Sequence, residues 1–282
     1  MKKVFLNDSI IDSDKAKINS SDSSFLYGAG LFETMRCNNG RIFSLSDHLD
    51  RLFFSSKALS INISYNRKYI TDAIYKTIAA NELVDARVRL TVSSGPIGSE
   101  EQGSALLVAA TKLESYPEQL YQKGALAVLS SYKQNPFDPV VGHKTTSYFS
   151  RLIVLKAAHQ QKATEAIWFT VDNRLAEGCV SNVFLVKDGV LHTPSVETPI
   201  LAGIARKSLC QIATDNSMEL VEKFLYINDL LDADEVFMSN VIMQVLPVTN
   251  IEAHQVGDGK VGPVTQKIAK LFAEKVEKET KK

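Results

Sequence analysis

Three short stretches near the middle of the chain carry residue types that could form a catalytic site. The first provides a lysine amine within Gly142-His143-Lys144-Thr145-Thr146-Ser147-Tyr148. The second begins with a carboxylate, in Glu177-Gly178-Cys179-Val180-Ser181-Asn182-Val183-Phe184. The third leads into a predicted helix, in Leu201-Ala202-Gly203-Ile204-Ala205-Arg206, where free backbone N–H groups can bind an anion. The chain therefore offers a nucleophilic amine, a carboxylate that can hold a cation, and an anion site.

An amine, a carboxylate and an anion site in this order are what pyridoxal 5'-phosphate requires. The pattern continues with Lys187-Asp188-Gly189 and Thr193-Pro194, and the similarity extends from about Tyr27 to Val248. On these motifs the chain resembles the class IV aminotransferases, which are the fold type IV pyridoxal-phosphate enzymes. That family includes branched-chain and D-amino acid transaminases and aminodeoxychorismate lyase.

The resemblance implies a set of cofactor-binding residues. Lys144 stands where the family has the lysine that bonds to the cofactor, and Glu177 stands where a carboxylate binds the pyridinium nitrogen. Arg51, within His48-Leu49-Asp50-Arg51-Leu52, occupies the position of the phosphate-binding arginine. Tyr148 either hydrogen-bonds the cofactor or belongs to the apolar core. The full expected set is Lys144, Glu177, Arg51, Ile204, Ala205, Asn240, Val241, Ser181 and Tyr148.

Candidate substrate-binding residues come from the first third of the chain. Arg89 resembles the position at which some family members bind a substrate carboxylate. Arg87 lies two residues away on the same face of a predicted strand, so the choice between them stays open. Arg36 is a further candidate for the carboxylate. Tyr27 either lines the substrate pocket or packs in the core.

The departures from the transaminase pattern favour a lyase. Transaminases of the family usually have a hydroxyl residue in place of Ala205 and a Ser/Thr-rich stretch in place of Ser239-Asn240-Val241. The segment from Asn240 to Val248 also resembles the aminodeoxychorismate lyase branch. The expected reaction is therefore the conversion of 4-amino-4-deoxychorismate into 4-aminobenzoate and pyruvate, for folate synthesis. The alternative is transamination of branched-chain or D-amino acids with 2-oxoglutarate, and a catalytically silent family member is a remote third possibility.

Composition limits the other possibilities. The chain has 282 residues, 45% of them hydrophobic, and its 32 basic and 32 acidic residues balance. Zero net charge gives no electrostatic reason to expect nucleic acid or an anionic membrane as a partner. The three cysteines match neither a zinc site nor a disulfide framework, and no apolar run has transmembrane length. A cytoplasmic enzyme that acts on a small amino or keto acid is expected, with no metal.

The pattern along the chain predicts an α+β / αβ fold with two domains. A small α+β domain is expected over residues 1–115, a linker over 116–124 and a larger cofactor-binding domain over 125–282. The family resemblance implies cofactor in the cleft between the domains and a homodimer. Asn39-Gly40 and Asp188-Gly189 predict hairpins, and the Ile70, Ile74, Ile78 repeat predicts an amphipathic helix.

Other elements are also predicted from local pattern. Phe32, Thr34 and Arg36 alternate with Glu33 and Met35, which favours a strand, and Ser46 is expected to cap the helix that follows. Further helices are expected over Thr145–Gln161, over Ala205–Asn216 and from Pro263 onward.

Overall fold

The computed structural model describes residues 2–96 and 103–281, which form two compact units. Unit 1 comprises the described residues of Met1–Glu114, His143–Tyr148 and Val276–Lys282, and unit 2 comprises Ser115–Gly142 and Phe149–Lys275. Two segments expected in the larger domain thus belong to unit 1. The domain boundary at residue 115 itself stays a prediction, because a compact unit is not yet an independently folding domain.

Unit 1 contains a six-stranded sheet with the order β2-β1-β6-β5-β3-β4, in which all neighbouring pairs are antiparallel. The predicted turn at Asn39-Gly40 joins β3 to β4, with φ values of 51° and 74° that suit these two residues. The strands are β1 (Lys3–Leu6), β2 (Ser9–Asp12), β3 (Gly30–Asn38), β4 (Arg41–Ile42), β5 (Ala86–Ser93) and β6 (Leu106–Lys112).

Three helices accompany this sheet: α1 (Ser23–Tyr27), α2 (Leu45–Ala58) and α3 (Arg67–Ala80). The predicted repeat of Ile70, Ile74 and Ile78 is buried in the core of the unit. Phe25 to Tyr27 form a helical turn because Asp22 caps it and Gly28 ends it in the left-handed region. The alternating residues from Phe32 onward lie in β3, as predicted. The predicted cap was wrong: Ser44, with φ 49°, precedes α2, so Ser46 lies inside the helix.

Unit 2 is built on a nine-stranded sheet, counted over the described part of the chain, with the order β12-β11-β10-β13-β14-β7-β8-β9 and β15 beside β14. The predicted Asp188-Gly189 hairpin joins β10 to β11. The strands are β7 (Ala125–Gln134), β8 (Glu165–Thr170), β9 (Leu175–Gly178), β10 (Asn182–Lys187), β11 (Val190–Pro194), β12 (Leu220–Lys223), β13 (Glu235–Asn240), β14 (Gln244–Ile251) and β15 (His254–Gln255).

The remaining helices are α4 (Glu118–Lys123), α5 (Phe149–Gln160), α6 (Ile204–Asp215), α7 (Ile227–Leu231) and α8 (Pro263–Thr280). Helix α4 lies in the expected linker, and Tyr121 Oη donates a hydrogen bond to the carbonyl of Met243 at 2.9 Å. Helix α5 begins four residues later than expected, because Thr145 forms an antiparallel bridge with Leu31. No helix among residues 2–96 and 103–281 is long and apolar enough to cross a membrane.

Candidate active site

The segment around Lys144 is extended and pairs with the beginning of β3 within unit 1. The N–H of Phe32 donates to the carbonyl of Lys144 at 2.9 Å, and the N–H of Thr146 donates to Gly30 at 2.8 Å. The hydroxyl of Thr146 also donates to the carbonyl of Gly28 at 2.7 Å. These bonds on both sides of Lys144 fix its backbone.

A second attachment holds the residue before the lysine. The ring of His143 stacks on Phe54 with centroids 5.9 Å apart, and its Nδ1 lies 2.9 Å from Oγ of Ser55. Both partners belong to α2. The lysine segment is therefore anchored to a strand on one side of Lys144 and to a helix on the other.

The ring of Phe32 brings together three candidate residues. Lys144 Nζ lies 4.4 Å from the ring centroid, and Arg89 Cζ lies 3.3 Å from it. Tyr148 contacts the same ring edge to face, with centroids 5.4 Å apart. The two distances from the ring limit the separation of the amine and the guanidinium carbon to about 8 Å.

The structure distinguishes between the arginine candidates. Arg89 is half-buried against Phe32, whereas Arg87 is exposed. Burial and the neighbouring charge of Arg87 lower the pKa of Arg89 to about 10, so Arg89 stays cationic at neutral pH. Arg36 donates from Nε to Asn38 at 2.7 Å. Tyr27 is 69% exposed on α1, so it does not belong to the core of unit 1.

Arg51 is held by a buried carboxylate on the opposite face of β3. Its Nε and Nη2 donate to the two oxygens of Glu33 at 2.8 and 2.6 Å, and His48 Nδ1 lies 2.7 Å from Glu33 Oε2. Burial raises the pKa of Glu33, but the charges and hydrogen bonds of Arg51 and His48 outweigh this effect and lower it to about 2. Glu33 therefore orients the expected phosphate-binding arginine.

In unit 2, the carboxylate of Glu177 is 4% exposed and accepts hydrogen bonds on both oxygens. Arg151 Nη2 and Gln134 Nε2 donate to Oε1 at 2.6 and 3.3 Å. The backbone N–H of Leu201 donates to Oε2 at 3.0 Å. Each carboxylate oxygen has about two lone-pair sites, so Oε2 can accept one further hydrogen bond.

The turn after Glu177 is organised by a second buried carboxylate, Glu165. This carboxylate accepts from the N–H groups of Cys179 and Val180 at 3.0 Å each and from the hydroxyl of Ser181 at 2.7 Å. Burial raises the pKa of Glu165, and these donors act in the opposite direction. The hydroxyl of Ser181, expected to bind cofactor, thus serves this turn.

The first turn of α6 is buried and lacks a side-chain cap. Ile204 and Ala205 are 5% and 2% exposed, and the preceding residue, Gly203, has no side chain that could receive their N–H groups. A Cβ atom on Gly203 would clash with Oδ1 of Asn182, so glycine is required here for space. A buried helix start without a side-chain cap among the described residues is suited to an anion.

Two further observations concern the strand beside α6. The hydroxyl of Ser239 is buried and has no hydrogen-bond partner among the described residues. The side chain of Asn240 accepts from the N–H groups of Ile242 and Met243 and donates to the carbonyl of Val180. Asn240 therefore stabilises the β13–β14 turn, and Val241 at its tip is buried.

These features fit pyridoxal 5'-phosphate. Glu177 has an acceptor position for a ring N–H, and α6 presents donors for a phosphate, to which the orphaned Ser239 hydroxyl can be added. Over residues 2–96 and 103–281 there is no cluster of three His, Cys, Asp or Glu side chains that could hold a metal ion.

Sequence reasoning missed several residues that contact the candidate residues within each unit. They are Phe32, Glu33 and His48 in unit 1 and Gln134, Arg151 and Glu165 in unit 2. A glutamate inside the apolar run Leu31-Phe32-Glu33-Thr34-Met35 is a usable signal, because a buried carboxylate needs a partner. Arg151 and Gln134 carry no comparable local signal, since both belong to ordinary polar positions of a helix and a strand.

Comparison with known proteins gives a consistent result. A family model described as "Amino-transferase class IV" matches residues 30–251. A "Putative branched-chain-amino-acid aminotransferase" of Methanocaldococcus jannaschii is 32% identical over 96% of this chain and 95% of the relative. A D-alanine aminotransferase of Listeria monocytogenes is 29% identical over 97% of this chain and 96% of the relative.

Solved structures of the same group are also similar. The branched-chain amino acid aminotransferase of Escherichia coli has a TM-score of 0.93 at 28% identity, with 99% of this chain and 96% of that chain covered. A second branched-chain amino acid aminotransferase, solved with pyridoxamine 5'-phosphate, has a TM-score of 0.90 at 26% identity, covering 98% and 94%. A "Putative 4-amino-4-deoxychorismate lyase" of Legionella pneumophila has a TM-score of 0.84 at 23% identity, covering 94% and 97%. At that identity the similarity to the lyase shows the fold alone.

We expect Glu33→Gln to lower the free energy of unfolding by about 3 kcal/mol at pH 7, because Arg51 would lose its buried counter-charge and His48 a buried hydrogen-bond partner. Since the pKa of Glu33 is lowered from 4.5 to about 2, its stabilising effect is complete above pH 4.5 and is lost as the pH falls towards 2. The difference between variant and native protein should therefore shrink between pH 5 and pH 3. Urea denaturation at several pH values measures it.

The exposed Glu114 provides the matched control. Glu114→Gln should change stability by less than about 0.5 kcal/mol at any of these pH values. A Glu33→Gln deficit that stayed constant down to pH 3 would show that the charge of Glu33 is not the stabilising feature.

Proposed function

Since the chain belongs to the class IV aminotransferase family, we propose that it is a transaminase that takes the amino group of a branched-chain amino acid and passes it to 2-oxoglutarate. The observation that carries this proposal is the Phe32 ring. It holds the amine of Lys144 and the guanidinium of Arg89 close together beside the aromatic ring of Tyr148. This arrangement suits a substrate with a carboxylate, an amino group and an apolar side chain.

The chain is an enzyme of the transaminase type and uses pyridoxal 5'-phosphate. Bound cofactor supplies an aldehyde carbon that takes up the amino group and a ring that withdraws electrons from the reacting carbon.

Lys144 provides the catalytic base of the proposed reaction. Its backbone is fixed, and its Nζ would remove the proton from the substrate Cα and hold it. The aromatic rings of Phe32 and Tyr148 lie 4.4 and 5.9 Å from the amine and shield part of it from water.

The other residues bind and orient. Arg89 binds the substrate carboxylate through its guanidinium fork. Within unit 1, Arg51, oriented by Glu33, is the guanidinium proposed to bind phosphate. Within unit 2, the N–H groups of Ile204 and Ala205 are the donors proposed for phosphate. Glu177 accepts a hydrogen bond from the ring nitrogen and keeps it protonated, which favours electron withdrawal from the reacting carbon.

The lyase reaction on 4-amino-4-deoxychorismate is the second candidate. Ala205 and Val241 lack hydroxyl groups, and this favours the lyase. The buried hydroxyl of Ser239, on β13 just before the turn that contains Val241, nevertheless offers a hydrogen-bond donor. The relatives named above at 29% and 32% identity are aminotransferases, and these names support transamination over the lyase. A D-amino acid donor is the other variant of the transaminase reaction.

We further propose a homodimer, as the family resemblance implies. Helix α5 exposes Phe149, Leu152 and Ile153 at 74%, 51% and 42%, a stripe with helical spacing that a second copy could cover. Light scattering during size-exclusion chromatography tests it, and a fully active monomer at micromolar concentration would refute it. The cytoplasmic location stays a prediction.

We expect Lys144→Ala to abolish turnover and to remove the visible absorbance of the cofactor-loaded enzyme, because the variant lacks the amine that bonds to the cofactor. Borohydride reduction of the native enzyme followed by peptide mapping should locate the label on Lys144. Lys156 and Lys162 serve as internal controls, and a label on either would show that the site assignment is wrong.

The reaction is tested by two assays on one preparation. Branched-chain and D-amino acids are paired with 2-oxoglutarate, and 4-amino-4-deoxychorismate is followed by the fluorescence of 4-aminobenzoate. We expect branched-chain transamination and no 4-aminobenzoate, because Arg89 and the aromatic rings suit a small apolar amino acid. Rapid formation of 4-aminobenzoate without transamination would establish the lyase reaction instead. Activity with D-alanine alone would show that the amino donor is a D-amino acid.

We expect Arg89→Met to lower kcat/KM for the amino acid by about 10- to 100-fold, since a hydrogen-bonded charge pair with the substrate carboxylate would be lost. Most of this change should appear in KM. Arg87→Met is the matched control, because Arg87 is exposed two residues away on the same strand. Equal effects of the two substitutions would indicate a general charge effect and no specific carboxylate site.

A further inference from the structure

We propose that Arg151 is a positioning residue for the reaction, which acts by fixing the carboxylate of Glu177 in the orientation that binds the ring nitrogen of the cofactor. This inference rests on the role proposed for Glu177. Arg151 lies on α5, and its contacts with Glu177 all fall within unit 2.

The guanidinium of Arg151 bridges a side chain and a backbone group of consecutive residues. Nη2 donates to Oε1 of Glu177 at 2.6 Å, and Nη1 donates to the carbonyl of Gly178 at 2.8 Å. The planar fork of arginine fixes both acceptors at once, which a lysine ammonium cannot do with the same geometry. The carboxylate plane of Glu177 is therefore fixed relative to its own strand, β9.

Arg151 is itself held in place. Its guanidinium carbon lies 5.5 Å from the ring centroid of Trp168, which is 5% exposed. The indole N–H of Trp168 donates to Sγ of Cys179 at 3.2 Å, in the turn that follows Glu177. The side chain of Arg151 is only 18% exposed, so the ion pair with Glu177 is shielded from solvent.

This arrangement determines which oxygen of Glu177 is available. Arg151 and Gln134 together use the acceptor positions of Oε1, whereas Oε2 has one donor, the N–H of Leu201. Rotation of the carboxylate would break all three hydrogen bonds. Oε2 is therefore the oxygen that accepts the ring N–H, and Arg151 prevents it from turning away.

The test is a double-mutant cycle on the cofactor-loaded enzyme. Arg151→Gln, Glu177→Gln and the double variant are compared for kcat, for KM of the amino donor, and for the wavelength and pH dependence of the visible absorbance of bound cofactor. We expect Arg151→Gln to lower kcat about 10-fold with KM within about 2-fold, because outer contacts that orient a binding group have effects of this size. Its absorbance should shift in the direction seen for Glu177→Gln.

The decisive comparison is in the Glu177→Gln background. If Arg151 acts through Glu177, adding Arg151→Gln there should change kcat and absorbance no further. If the two effects multiply, Arg151 acts independently of Glu177 and the proposal is wrong. Arg174→Gln is the matched control, since Arg174 pairs with Asp172 and packs on Phe224 in the same unit, and it should leave all readouts unchanged.

Two further measurements separate other causes of activity loss. Arg151→Lys keeps the charge but not the fork, so it should restore part of kcat, and circular dichroism shows whether each variant folds. If Arg151→Gln fails to fold, Arg151→Lys replaces it in the double-mutant cycle. A kcat of Arg151→Lys equal to that of the native enzyme would then overturn the proposal. Native protein that binds no pyridoxal 5'-phosphate in a fluorescence titration would instead refute the proposed function.

Discussion

A carboxylate removed from water must be given hydrogen-bond donors, and the arrangement of the candidate site depends on this constraint. Glu33, Glu165 and Glu177 are 1%, 1% and 4% exposed. A buried carboxylate without hydrogen-bond donors costs several kcal/mol. Each of the three glutamates therefore restricts the conformation of the segments that donate hydrogen bonds to it. In this chain the donors belong to the segments that carry the proposed functional groups.

The consequence is clearest at Leu201. Its N–H donates to Glu177, and its carbonyl accepts from Nδ2 of Asn182 at 2.9 Å, so one peptide is held from both sides. Leu201 lies three residues before the first residue of α6, Ile204. The carboxylate proposed for the ring nitrogen and the helix start proposed for the phosphate are thus fixed in relation to each other. A rigid ligand that contacts both groups could bind without moving either of them.

The local elements were largely predictable, whereas the contacts that orient the site were not. The Asn39-Gly40 and Asp188-Gly189 hairpins and the Ile70, Ile74, Ile78 face follow from backbone and burial preferences over a few residues. Thr145 was predicted as helical, but long-range pairing with Leu31 outweighed the local pattern. Pairs such as Arg151 with Glu177 are 26 residues apart, and their geometry exists only after the sheet has formed. The fold type and the cofactor, in contrast, follow from the motif and are confirmed by the family match.

Transamination and the lyase reaction differ less in their catalytic groups than in the fate of one proton. In the proposed roles, Lys144 removes this proton and Glu177 supports electron withdrawal in both reactions, so the motifs that identify the family cannot separate the two. The difference must come from what surrounds the substrate. Around Lys144 that surface is aromatic and cationic. The rings of Phe32 and Tyr148 contact each other, and the guanidinium of Arg89 lies against Phe32. Such a surface selects by the substrate's apolar side chain and its carboxylate. The reaction is then determined by which molecule can be held with its Cα proton within reach of the lysine.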